Sequence, residues 1–283
     1  MFGRYKAKEK DFSKESLPTT RRQQFKAFLK NEKMTIFKIS LILFLFSIPF
    51  LATITYQNIV LVALQNEVEA GSMTQTDMFY TYAFEDLIFN AIKLATLIIF
   101  GIGLSGALRI IRNLCWNEGV FFGDDFKKGI KQNFKQVLLP SVLIGLAIYL
   151  IAVFKDFYNL TGSLILEIGY ILSIAITFIL IIPFILFLIS QITFYEGKLF
   201  TLVSNAFTLM LSKYLIVILF STFVGIIWFV SSLFGLLFYS LVVGVFIALF
   251  SGIFLVIFHL YSLSVFDKVI NFDDKKHYRK GLY

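Results

Sequence analysis

The segment from Tyr214 to Phe266 contains no Asp, Glu, Lys or Arg, and this feature constrains the fold most strongly. A helix needs about 20 predominantly apolar residues to cross a membrane, so the segment is long enough for two crossings joined by a tight turn. We expect that turn between Ser231 and Ser240. The apolar segments of the whole chain are 37–60, 88–108, 137–154, 166–190, 214–235 and 239–265. The sequence therefore predicts six transmembrane segments.

Composition supports the same class of protein. Hydrophobic residues make up 58% of the chain and charged residues 16%, whereas soluble domains have roughly 45–50% and about 25%. A single soluble core could not bury so much apolar surface. The apolar segments do not alternate polar and apolar residues as barrel strands do, so helices are expected. The predicted fold class is an all-α polytopic membrane protein.

The distribution of Lys and Arg predicts the orientation of the chain. Residues 1–33 form a basic segment, residues 267–283 a basic tail, and residues 109–136 a basic loop within the transmembrane domain, 34–266. Residues 65–87 carry acidic side chains and no Lys or Arg. Lys and Arg are retained in the cytoplasm, so we expect both termini inside and 65–87 outside a bacterial plasma membrane. The net charge of +8 then indicates topology and affinity for anionic headgroups, and it does not indicate nucleic-acid binding.

The N-terminal segment is predicted to be disordered as far as Pro18 and helical after it. In the stretch RRQQFKAFLKNEK, Phe25, Phe28 and Leu29 fall at helical spacing, and the basic residues fall on the other face. This pattern predicts a short amphipathic helix that lies on the inner leaflet.

The loop 109–136 has a second amphipathic pattern. Four apolar residues recur at steps of four, which places them in one stripe on a helix; they are Phe122, Phe126, Ile130 and Phe134. Lysines fall on a different face, and Asp124 is a suitable helix cap. We expect a cytoplasmic helix that runs into the next span, which Pro140 opens. The stripe either docks another protein or lies on lipid while the lysines meet phosphates.

Two loops begin alike. Glu118-Gly119 and Glu196-Gly197 each follow aromatic residues at the end of an inward-running span. One interpretation is a parallel internal repeat in which spans two and three match spans four and five. The other is two helix ends, each closed by a C-terminal glycine with an interfacial aromatic residue beside it.

The stretch GIGLSGALRIIRNLCWNEGVFFGDDFKKGIKQNFKQ resembles the YesL-like membrane proteins of Gram-positive bacteria. The resemblance covers about residues 34–64 and 88–220 and implies an accessory membrane role beside carbohydrate-uptake systems, with no active site. A second stretch, QNFKQVLLPSVL, is similar to the end of the cytoplasmic coupling loop of ABC importer permeases, whose upstream half is missing here.

Only one pattern resembles a catalytic site. Gly103-Leu104-Ser105-Gly106 with His259 resembles rhomboid-type intramembrane serine proteases, in which a base must reach the serine. Small residues at this position are also expected wherever helices approach closely in lipid. A lone histidine within a span, such as His259, is most commonly buried and bonded to a neighbouring carbonyl, and we expect that here. We expect the single cysteine, Cys115, to be a small buried hydrophobic residue. No metal or cofactor motif is present in the sequence, so we expect no cofactor and no enzyme activity.

Ionisable residues at membrane depth are functional candidates. Lys93 lies seven residues after Asp86 and therefore on about the same helix face. We expect Lys93 to snorkel to the outer interface and pair with Asp86; the alternative is a transport site.

The sequence as a whole predicts an accessory or scaffold protein of a transport or cell-envelope complex. The expected partners are anionic lipids and either ABC transporter subunits or further copies of the chain. The alternative is a transporter or permease with a pathway between the repeated hairpins. The candidate docking residues are Arg109, Arg112, Glu118, Lys127, Lys128, Lys131 and Phe134.

Overall fold

The computed structural model describes residues 18–270 and 280–281, and nearly all of these residues are helical. The helices are α1 (Arg21–Asn31), α2 (Lys33–Glu69), α3 (Gln75–Cys115), α4 (Phe122–Thr161), α5 (Leu164–Ile176), α6 (Ile182–Phe194), α7 (Leu199–Ser212), α8 (Tyr214–Ser232) and α9 (Leu236–Val269). A π-helical turn, Thr177–Ile181, joins α5 to α6. The disorder predicted before Pro18 and most of the basic tail fall outside the described residues.

Within the described residues, six helical units are long and apolar enough to cross a membrane, as predicted. They are Lys33–Glu69, Gln75–Cys115, Phe122–Thr161, Leu164–Phe194, Tyr214–Ser231 and Leu236–Val269. The turn between the last two lies at residues 233–235, inside the expected interval, and Gly235 there has φ 90°. A positive φ is readily available only to glycine, which allows the turn to be so short.

The first helices are longer than their apolar segments. α3 has 41 residues, which corresponds to roughly 60 Å, about twice the hydrocarbon core. Consequently the acidic segment 65–87 is helical at both ends, and only residues 70–74 connect α2 to α3. The two helices pack on each other, and Leu64 of α2 and Met78 of α3 are buried in this part of the chain.

Both ends of the described chain lie on one side of the bundle. The Arg21 guanidinium binds the Asp267 carboxylate at 3.0 Å and donates to the carbonyl of Lys280 at 2.9 Å. We call this the terminal side and the opposite one the distal side. That the terminal side is cytoplasmic stays a prediction.

The helix α1 packs on protein through the face that was predicted to lie on lipid. Phe28 is buried, and the Gln24 side chain donates to the carbonyl of Cys115 at 2.8 Å. Leu29 and the lysines of α1 remain exposed. The amphipathic helix is therefore confirmed, but its apolar stripe contacts α9 and the core and only its edge is free.

The α3–α4 hairpin is held by close backbone approach. A Cβ atom at Gly129 would lie 2.8 Å from the carbonyl oxygen of Gly106 and 2.9 Å from that of Ser105. The Asn133 side chain donates to the Ser105 carbonyl at 3.2 Å. Small residues permit this contact, as is common between helices in lipid. The predicted loop 109–136 is consequently helical except at 116–121.

Candidate functional site

A group of polar side chains is buried between α2, α3 and α4 toward the distal side. We call it the polar cluster; its members are Gln57, Tyr82, Asp86, Asn90, Lys93 and Asp156. All except Tyr82 are less than 9% exposed. Buried charges are costly unless they are paired and hydrogen-bonded, so the contacts inside this group decide its character.

Two amide side chains join the ammonium group of the cluster to a carboxylate. Lys93 Nζ donates to Gln57 Oε1 at 2.6 Å and to Asn90 Oδ1 at 3.1 Å. Asn90 Nδ2 donates to Asp86 Oδ2 at 2.9 Å, and Gln57 Nε2 donates to Asp86 Oδ1. Each amide thus accepts from the cation through its oxygen and donates to the anion through its nitrogen. Such charge-assisted bonds are the strong ones in a low-dielectric interior.

The cluster follows from the helical repeat of α3. Residues 82, 86, 90 and 93 are spaced by four, four and three positions, so they share one helix face. The predicted placement of Lys93 and Asp86 on the same face is confirmed. The predicted snorkelling is wrong, because Lys93 is only 8% exposed and its ammonium group turns inward to Gln57 and Asn90.

Asp156 differs from the other members of the cluster. The residue is 4% exposed, and its Oδ2 atom accepts no hydrogen bond within the described part of the chain. Its carboxyl group faces that of Asp86 within hydrogen-bonding reach. The cluster therefore contains a pair of neighbouring carboxyl groups in addition to the amide-bridged ammonium.

Sequence reasoning missed Gln57, Tyr82, Asn90 and Asp156. Gln57 lies in the apolar segment 37–60, and Asn90 lies in the segment 88–108. A polar side chain inside a span is a signal in itself. What the sequence could not show is that three different helices bring these side chains together.

On the terminal side, three of the predicted docking residues are engaged within the protein. Arg109 forms an ion pair with buried Asp125 at 3.3 Å. The Arg112 guanidinium lies 5.3 Å from the centre of the Trp116 ring, and Glu118 forms an ion pair with Lys280 at 3.3 Å. Glu118 thus joins the loop 116–121 to Lys280, and Arg109 joins α3 to α4; a docking role of these side chains stays a prediction.

The remaining predicted docking residues are on the outer face of α4. Lys127, Lys128 and Lys131 are exposed, whereas Phe134 is half-buried. Lys135 continues the same exposed side, and we call these four lysines the lysine face. The opposite side of the helix, with Asp125, Phe126 and Gly129, packs against α3 and α2. The apolar stripe does not simply lie on lipid.

The lysine face lies beside apolar parts of the neighbouring helices. The ring centres of Phe126 and Phe46 are 6.0 Å apart, which places this point of α4 beside the apolar segment of α2. Lys131 and Lys135 lie further along α4, level with residues 101–105 of α3, as the bond from Asn133 to Ser105 shows. The α2 and α3 residues at this level are mostly apolar, while Gln136, next to Lys135, donates to the carbonyl of Gly197 in the loop after α6 at 3.1 Å.

The serine and histidine of the protease-like pattern have separate partners. Ser105 Oγ donates to the Gly101 carbonyl at 2.6 Å. His259 is fully buried, with Nδ1 2.7 Å from the Leu255 carbonyl and Nε2 3.0 Å from Thr193 Oγ1. The expected bond from His259 to a neighbouring carbonyl is confirmed. Both ring nitrogens of His259 contact residues other than Ser105. Cys115 is fully buried, as expected. Absence of enzyme activity stays a prediction.

The two similar loops are closed differently. At the end of α3, Asn117 has φ 53°, its N–H donates to Leu114 and that of Glu118 donates to Asn113, which is a Schellman motif. At the end of α6, Tyr195 is extended. Neither Gly119 nor Gly197 is the closing residue, so the prediction of glycine-closed ends is wrong. The internal repeat stays a prediction.

Comparison with known proteins gives no relative. No family model matches the chain, and neither a curated protein nor a solved structure matches it. The resemblance to the YesL-like proteins therefore stays a prediction.

Proposed function

We propose that this integral membrane protein is an accessory subunit that docks an acidic surface of a partner protein on its lysine face. The observation that carries the proposal is the position of four exposed lysines level with apolar residues of α2 and α3. The resemblance to the YesL-like proteins supports a partner in a carbohydrate-uptake or cell-envelope complex.

Energetics favour a protein partner over lipid for part of this face. A lysine at the centre of a membrane helix costs about 2.5–3.5 kcal/mol, and snorkelling lowers that cost near the surface. Lys127 and Lys128 are close to the terminal end of α4 and can reach headgroup phosphates. Lys135 is eight positions after Lys127, about 12 Å further along the helix. Asp or Glu side chains of a partner can follow the helix to that depth, whereas phosphates stay at the surface.

The helix that carries the lysines is held in place before any partner binds. Asp125 accepts from the Phe121 backbone N–H at 2.8 Å and pairs with Arg109, which fixes the start of α4. The bond from Asn133 to Ser105 fixes the helix two turns later. A rigid surface loses little entropy on binding, which favours affinity.

Cross-linking tests the proposal directly. A photoreactive amino acid at position 135 would be activated in native membranes, with and without reversal of Lys127, Lys128 and Lys131 to Glu. The matched control reverses three exposed lysines elsewhere on the terminal side, namely Lys26, Lys30 and Lys33. We expect an adduct to an acidic segment of one protein that is lost in the first variant and kept in the control. Adducts to lipid alone would refute the proposal.

A second candidate function is transport through the bundle, and the polar cluster favours it. Ionisable groups inside a membrane bundle often mark ion or substrate pathways. Proteoliposomes that contain only this chain should then move an ion or solute, and replacement of Lys93 by Met should stop the flux. A docking subunit alone would move nothing.

A further inference from the structure

The carboxyl pair in the polar cluster lacks the group that would hold its oxygen atoms together. Asp86 and Asp156 are both more than nine-tenths buried, and their carboxyl groups face each other. The amides of Gln57 and Asn90 satisfy Asp86, but Asp156 Oδ2 accepts no hydrogen bond from any described residue. Two ionised carboxylates in contact repel each other, and only a shared cation turns that contact into an attraction.

The surroundings of the pair suit a proton better than a metal ion. Calcium takes roughly six to eight oxygen ligands, and magnesium takes an octahedral set. The two amide oxygens of the cluster, Gln57 Oε1 and Asn90 Oδ1, already accept from the Lys93 ammonium group, which leaves the Tyr82 hydroxyl beside Asp86 as the remaining neutral oxygen. The described residues contain no group of three or more His, Cys, Asp or Glu side chains arranged to hold a metal. A proton needs only one oxygen atom from each carboxyl group.

Charge balance points the same way. The titratable groups around the pair are Tyr82 and Lys93 from α3 and Lys155 from α4, while α2 contributes only neutral Gln57. Lys155 is exposed, so Lys93 is the one buried cation of the cluster. With both carboxyl groups ionised and Lys93 charged, the buried charge is −1; one added proton makes it zero. A neutral buried group avoids the cost of an uncompensated charge.

We propose that Asp86 and Asp156 together bind one proton between their carboxyl oxygens, so that the polar cluster is a proton-binding site. The proton is taken from solvent, no covalent bond other than the new O–H is formed, and the hydrogen bond runs from one carboxyl group to the other. Asp156 lies six residues before Gly162, in the turn to α5, which places this member of the cluster toward the distal side. This inference does not depend on the docking proposal. If the protein is a transporter, the proton is the ion that the polar cluster would bind.

Infrared spectroscopy on the full-length protein in liposomes tests the proposal. The chain would carry ¹³C-labelled aspartate, and difference spectra between alkaline and acidic buffer would be recorded in the C=O region of protonated carboxyl groups. We expect a band typical of a buried, hydrogen-bonded carboxyl group that shifts in D₂O. The band should be lost in Asp156→Asn and in Asp86→Asn, since a neutral amide cannot share the proton.

A matched control and a folding check keep the test decisive. Asp124→Asn changes an exposed aspartate on the same helix as Asp156 and should leave the band unchanged. Asp86 accepts hydrogen bonds from two side-chain amides, so Asp86→Asn could unfold the protein. Asp156 Oδ2 accepts no hydrogen bond from a described residue, so Asp156→Asn decides the result. Absence of the band in the wild-type protein, or its persistence in Asp156→Asn, would overturn the proposal. The flux assay above can fail without affecting this result.

Discussion

The contact of Gly129 with backbone atoms of α3 predicts a substitution effect of unusual sign. In most helix interiors, Gly→Ala stabilises by about 1 kcal/mol, because alanine restricts the unfolded chain. At Gly129 the added methyl group would lie 2.8–2.9 Å from two backbone carbonyl oxygens of α3 and from Arg109 Cβ. Backbone atoms cannot rotate away, so the two helices must separate. Overpacking of this kind costs about 1–3 kcal/mol.

The net effect expected for Gly129→Ala is a destabilisation of about 1 kcal/mol, since the overpacking exceeds the gain in helix propensity. Gly123→Ala is the matched control, because Gly123 lies on the same helix with nothing within 4 Å of the added atom. That variant should be unchanged or stabilised by up to about 1 kcal/mol. The two variants should therefore differ by about 2 kcal/mol, a factor of more than ten in the folding equilibrium.

The single cysteine gives a direct assay of this difference. Cys115 is the only thiol and is fully buried, so it reacts with a thiol reagent only when the helices open. Reaction rates in mild detergent, measured against temperature, would rank the wild-type protein and both variants. If Gly129→Ala proved as stable as Gly123→Ala, the backbones of α3 and α4 would have to lie further apart at Gly129 than 2.8–2.9 Å contacts allow, which would refute the prediction.

Three further predictions can use the same assay. Lys93→Met leaves the buried carboxyl groups without their cation and should cost about 3–5 kcal/mol; a loss below about 1 kcal/mol would contradict the amide-bridged arrangement. Arg109→Ala should destabilise more than Arg22→Ala, because Arg109 pairs with buried Asp125 and Arg22 is exposed; equal stability would show that the pair is dispensable. Asn117→Ala should cost about 1 kcal/mol through its φ of 53°, and a neutral result would argue against the Schellman motif.

The lysine face and the polar cluster lie in separate parts of α4. The lysine face is on the terminal half of α4, and the polar cluster uses the distal end of the same helix. Lys131 and Asp156 are 25 positions apart on α4, roughly 37 Å along the helix. Variants at Lys131 should therefore leave the infrared band of the carboxyl pair intact, and variants at Asp156 should leave cross-linking intact.

The sequence by itself determined the class of protein, the six spans, the turn near Gly235 and the amphipathic start of α4. These properties depend on the hydropathy and spacing of neighbouring residues, which a linear reading contains. It also placed Lys93 and Asp86 on one face of α3, because helical geometry relates residues seven positions apart.

Only the tertiary structure decided which side chains meet across helices. Gln57 and Asp156 join Lys93 and Asp86 because α2, α3 and α4 pack in one particular register. Close contacts, such as that of Gly129 in α4 with the backbone of α3, contribute to that register. The same register pairs Arg109 with buried Asp125 and leaves Lys131 exposed. Hydropathy shows that a segment enters a membrane, but side-chain volume and backbone approach decide how far each helix is displaced along its neighbour.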